Sequence, residues 1–97
     1  KFKVVIDADL ADIVPEFMKA RREELPRLAV MLAAGDAAGL RTAGHKLIGS
    51  GGGYGFDRLS ELGRGLEAAA IAGDMAAAGG FIREISDYVE NVEIVYK

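Results

Sequence analysis

Apolar residues recur at helical spacing along almost the whole chain. The clearest run is the last. Met75, Ala78, Ile82, Ile85, Val89, Val92 and Tyr96 keep intervals of three and four, which predicts an amphipathic helix from Met75 to the C-terminus. Before it, Leu59, Leu62, Gly63, Leu66, Ala69 and Ala70 form the stripe of a third helix, with Asp57 its expected N-cap. A second helix is predicted from Ala37 to about Gly52, with Leu40, Ala43, Gly44, Leu47 and Gly51 on one face. The first and longest runs from about Ile13 to Ala34 and draws its apolar surface from Phe17, Leu25, Leu28 and Leu32. Gly35-Asp36 and Gly73-Asp74 read as stop-and-cap signals, because Gly ends a helix cheaply and Asp starts the next.

Four helices joined by short turns favour antiparallel neighbours, so the expected fold is all-α, an up-and-down four-helix bundle. Pro15 fits a first turn, where its missing N–H has no intrahelical partner anyway. Pro26 falls inside the first helix and predicts a bend near Glu24 to Pro26. Asp7 to Asp12 reads as a helix start, and strand character is confined to Lys3 to Ile6, so the lead-in is expected to be short and either helical or extended. Residues 1–97 are expected to form one domain, since 97 residues suit a single core.

Composition narrows the chemistry. Half of the residues are apolar and 28% are charged, with a formal net charge of −3, which argues against a nucleic-acid binder that neutralises phosphates with Lys and Arg. No apolar run approaches the roughly 20 residues of a membrane span. Lys1-Phe2-Lys3 leads into Val4-Val5-Ile6, too short a run for a secretory leader. A chain that starts on Lys rather than Met is expected to be a piece or a trimmed form. Without cysteine there is no disulfide, no thiolate nucleophile and no Cys-based zinc site, and a cytoplasmic setting is the default.

One histidine remains as a chemical group. On a helical wheel His45 lies about 140° from the core face of the second helix, so it is expected to point to solvent. Its neighbours one turn away are Arg41, Ile48 and Gly49, and Gly52 lies two turns on. Gly44 and Gly51 fall on the core face, where they allow close helix approach, and Gly53 and Gly55 suit the turn. Gly49 has neither reason. A glycine there costs the helix up to about 1 kcal/mol relative to Ala, and its best rationale is access to His45. The plain alternative, a solvated surface histidine in a glycine-rich helix, carries equal weight on periodicity alone.

The segment AGHKLIGSGGGYGFDRLSELGRGLE resembles the signature of histidine-containing phosphotransfer (HPt) domains, approximately A-H-x-L-K-G-S-[SG]-x-x-[LYF]-G. His45, Leu47, Gly49, Ser50, Tyr54 and Gly55 match it in order and spacing. LSELGRGLE is similar to the family's third helix and VPEFMKARREELPRL to its first. The resemblance implies the same four-helix bundle and a relay function, in which the histidine takes a phosphoryl group from the aspartyl phosphate of one receiver domain and passes it to another. It implies a phosphocarrier rather than an enzyme, with no bound cofactor and with the divalent metal on the partner receiver. Response-regulator receivers and a hybrid sensor histidine kinase are the implied partners of a cytoplasmic monomer, with no nucleic acid and no membrane.

Carried onto this chain, the resemblance makes His45 the phosphoacceptor, with Arg41, Lys46 and Gly49 beside the phosphoryl group. Ala38, Thr42, Ile48, Gly52 and Arg64 make the receiver-docking surface. The family usually places Lys three residues after the histidine, and here Ile48 stands there. Arg41, one turn earlier, is better aligned to replace that charge than Lys46, which points about 100° away. The rival reading is a helical docking module that binds a receiver or kinase without carrying phosphate.

Overall fold

The computed structural model describes residues 2–97; Lys1, the first residue of the expected lead-in, lies outside them. Strand β1 (Phe2–Ile6) is followed by a short 3-10 turn at Ala8–Leu10 and then by helices α1 (Val14–Ala34), α2 (Ala37–Gly53), α3 (Asp57–Ala72) and α4 (Met75–Asn91). Strand β2 (Val92–Tyr96) closes the order. Each helix packs on its sequence neighbours and α1 also packs on α4, which closes the up-and-down bundle.

The caps show why the helices begin and end where they do. Asp36 accepts a hydrogen bond from Gly39 N–H at 2.9 Å and Asp74 one from Ala77 N–H at 3.0 Å, as expected of N-caps. Gly35 and Gly73 end α1 and α3 in the left-handed region, at φ 66° and 70°. Asp57 is not the cap of α3. That position belongs to Phe56, which is fully buried and stacks on Phe17 at 5.4 Å, while Asp57 sits in the first turn. Burial of the ring, more than a side-chain hydrogen bond, fixes how the chain enters this helix.

α1 continues as helix through Pro26, so the proline does not end it. Pro26 and Arg22 are both exposed, so the Arg22 carbonyl that the proline ring deprives of its helical donor belongs to the solvent side of α1. The last helix stops at Asn91 rather than continuing to Tyr96. Val92 turns to extended geometry and β2 pairs in parallel with β1, in the register Phe2↔Val92 to Ile6↔Tyr96. The 3–4 spacing of Val92 and Tyr96 therefore did not report a helix. Val92, Ile94 and Val95 are β-branched, and Phe2 and Val4 offer them an apolar partner strand.

The core is drawn from all four helices, with Val14, Leu40, Phe56, Leu59, Leu66, Ile85 and Tyr88 among its fully buried side chains. The third-helix stripe is buried as the pattern required, Leu59, Leu62, Leu66, Ala69 and Ala70 included. The Tyr88 hydroxyl lies in this core without a hydrogen-bond partner among the described residues. Burial, reinforced by the Asp57 charge and opposed by Arg58, raises its pKa above the ordinary tyrosine value.

Candidate functional site

α2 and α3 make the closest helix pair in the molecule. A Cβ on Gly44 would lie 2.7 Å from the backbone nitrogen of Glu67 and 2.8 Å from the Gly63 carbonyl oxygen. Only hydrogen fits at both Gly44 and Gly63, so the two backbones touch. Further along, the buried Ser60 hydroxyl donates to the Ile48 carbonyl at 2.8 Å and ties α3 to the backbone of α2.

This seam sets where His45 stands. Leu40, Gly44, Leu47 and Gly51 are buried and Ala43 half-buried, so the opposite face of α2 is turned out. The His45 side chain is 76% exposed. Its Nδ1 lies 3.1 Å from Oε2 of Glu67, a residue brought across from α3 by the Gly44–Gly63 contact. A carboxylate can only accept, so in the neutral imidazole Nδ1 carries the proton and donates it. The remaining ring nitrogen, Nε2, then keeps its lone pair. Ala38, Arg41, Thr42, His45 and Glu67 line one shallow concavity. Beside it, Gly49 has nothing within 4 Å of where a Cβ would stand.

The α1 side holds the glycine-rich half of α2 in place. Arg21 Nη1 donates to Ser50 Oγ at 3.1 Å, and that hydroxyl donates in turn to the Lys46 carbonyl at 2.9 Å. The same guanidinium donates to Glu24 at 2.9 Å and lies 4.8 Å over the Phe17 ring. Phe17 packs on Tyr54 and Phe56, so one cluster fastens the end of α2 to α1.

Of the residues singled out in the sequence, Arg41, Ala38 and Thr42 share the His45 concavity. Lys46 does not: it lines a separate groove with Glu24, Arg27 and Leu28 of α1. Ile48 is half-buried, Gly52 is exposed and a Cβ on it would lie 3.4 Å from Ser60 Oγ, and Arg64 is exposed on α3 one turn before Glu67. Glu67 was missed. The antiparallel turn at Tyr54 already places α3 residues near Arg64 at the height of His45. Only the rotation imposed by the glycine seam selects Glu67 among them.

The family model described as Hpt domain matches residues 12–94. The chain belongs to the Hpt family. Hpt domains are phosphocarriers that relay phosphoryl groups through a histidine, without acting as turnover enzymes, and the histidine-phosphotransfer relay is therefore the function of this chain's family. No curated protein and no solved structure matches the chain. No helix among the described residues is long and apolar enough to cross a membrane.

Proposed function

We propose that His45 is the phosphoacceptor of this Hpt domain and that transfer occurs at Nε2. The observation that carries the reading is the Nδ1–Glu67 contact of 3.1 Å on an otherwise exposed ring. It holds the ring in one tautomer and aims Nε2 outward, as a nucleophile requires.

In the transfer, the Nε2 lone pair forms the N–P bond as the P–O bond to the receiver's aspartate breaks and its carboxylate leaves. The ring then bears positive charge, which the Glu67 carboxylate offsets through the Nδ1 proton. The charged ring is a good leaving group, so a second aspartate can take the phosphoryl group by the reverse steps. The receiver contributes the nucleophilic or leaving carboxylate and the divalent metal. Arg41 supplies positive charge within the same concavity, in the place of the lysine that Ile48 replaces. Lys46 is the weaker candidate for that role, since it faces the α1 groove.

Receivers of response regulators and of a hybrid sensor kinase are the partners this reading assigns. They would dock across Ala38, Thr42, Ile48, Gly52 and Arg64, with Gly49 leaving room for the incoming loop. Residues 1–97 act as one relay unit in this reading, and its setting is the cytoplasm, where receivers and kinase domains work. A receiver charged with labelled acetyl phosphate should label this chain, with an acid-labile, base-stable adduct lost in His45→Gln. Equal labelling of His45→Gln, or no label from any receiver tested, overturns the assignment.

A further inference from the structure

Among the described residues the sheet has two strands, so the outer edge of β2 has no strand beside it. The outer side of β1 borders a groove that also contains Gly55, Asp57 and Arg58. The Lys97 N–H donates to Ile6 and the Lys97 carbonyl accepts from Ala8, each at 3.0 Å. Backbone groups alternate in direction along a strand, so Glu93, Val95 and Lys97 face β1 while Ile94 and Tyr96 turn their N–H and C=O outward. Such an edge is a template for another strand.

We infer that β2 pairs antiparallel with β2 of a second copy of this chain, about a dyad at Val95, to give a four-stranded sheet. The register follows from direction and charge. A one-residue slip is excluded, because the groups it would use already bond β1. Centring on Val95 sets Ile94 against Tyr96 of the second copy, so their outward groups exchange hydrogen bonds on both sides of the dyad. It also sets Glu93 against Lys97 of the second copy in the pairs whose side chains approach most closely. Shifting by two residues loses both of these ion pairs.

The rows across the resulting sheet agree. Val5 pairs with Val95 in the chain and is 58% exposed, an uncommon state for a strand valine. In the dimer the central row becomes Val5, Val95, and the same two residues of the second copy. The flanking row starts with Lys3 and Glu93, which are paired in register, and continues with Lys97 and Asp7 of the second copy, so charge alternates along its length. His45 lies eight residues from the end of α2, about 12 Å of helix, and is not among the residues the pairing uses. The resemblance implied a monomer; the Val92 to Tyr96 segment forms a strand, and a strand has an edge to satisfy.

Two five-residue edges bury less than the about 1,200 Å² of a stable interface, so the dimer should be weak and concentration-dependent. Sedimentation equilibrium of the chain should show a mass rising from 10.3 kDa toward twice that value as concentration approaches about 1 mM. Lys97→Glu opposes two carboxylates and should raise the dissociation constant about tenfold, with Glu93→Lys/Lys97→Glu recovering most of the loss. Tyr96→Pro removes an outward N–H that has no role in the β1 ladder, so it should abolish the dimer and leave the helical circular dichroism unchanged. A monomer throughout that range, or a dimer indifferent to Lys97→Glu and Tyr96→Pro, overturns the inference.

Discussion

The two faces of α2 carry glycine for opposite reasons. On the inner face Gly44 is filled against: a Cβ there would meet the backbone of Glu67 and Gly63 at 2.7 and 2.8 Å. On the outer face Gly49 meets nothing within 4 Å. One glycine exists because two helices touch, and the other leaves a surface bare beside His45. The contrast teaches that the seam and the site are one device. The close approach at Gly44 is what brings Glu67 within 3.1 Å of the ring that projects from the neighbouring position.

The strongest way to break that contrast is at the seam. Gly44→Val must push α3 away, and overpacking of this kind should cost about 3 kcal/mol in urea unfolding. Gly49→Ala should instead leave stability unchanged or raise it by up to about 1 kcal/mol, since only helix propensity is at stake. Similar losses at both positions would remove the distinction.

A smaller effect separates the carboxylate from the packing. Glu67→Ala frees the imidazole to rotate and change tautomer, and should slow phosphoryl transfer about tenfold, equivalent to about 1.4 kcal/mol. Stability should hardly move, because the contact is made by an exposed ring. Glu67→Gln keeps an acceptor for Nδ1 and should fall between the two. Stopped-flow transfer rates with a fixed receiver would show the ranking.

The smallest effect lies at the wall between α4 and the ribbon, where the packing is less complete in its polar pairing. On the α2–α3 seam the buried Ser60 hydroxyl has its acceptor, while the Tyr88 hydroxyl has none among the described residues. Tyr88→Phe removes that orphan and keeps the ring against Phe2, so at neutral pH it should be neutral or stabilising by up to about 1 kcal/mol. The sign reverses nothing at high pH. Tyr88 ionises less readily folded than unfolded, so its contribution is intact below the ordinary value of about 10 and is lost as pH rises through the raised one. The alkaline loss of stability should therefore shrink in Tyr88→Phe, as read by thermal unfolding across pH 9 to 11 (about the tyrosine range).

Much of the bundle was legible because glycine and aspartate punctuate it and the stripes of α2 and α3 are regular. His45 was legible as an exposed group for the same reason: its angle from Leu40 and Leu47 follows from helical geometry alone. Glu67 was not, since the partner of a surface ring depends on how two helices are rotated, and that rotation is set by contacts across the seam. The last helix was over-extended because an interval of four also fits a strand's alternate residues over so short a stretch. Val92 and Tyr96 lie four apart, an even spacing that a strand also places on one face. What decided between helix and strand was the distant segment Phe2 to Ile6, which no local pattern could reveal.

The central claim is that Glu67 fixes the proton on Nδ1 of His45 and reserves Nε2 for phosphorus. Long-range proton–nitrogen NMR of the labelled imidazole, recorded before and after loading by a phosphorylated receiver, reads both nitrogens directly. The account predicts a ring protonated at Nδ1 before transfer and phosphorus on Nε2 after it. A phosphoryl group on Nδ1, or a free ring protonated at Nε2, would contradict it.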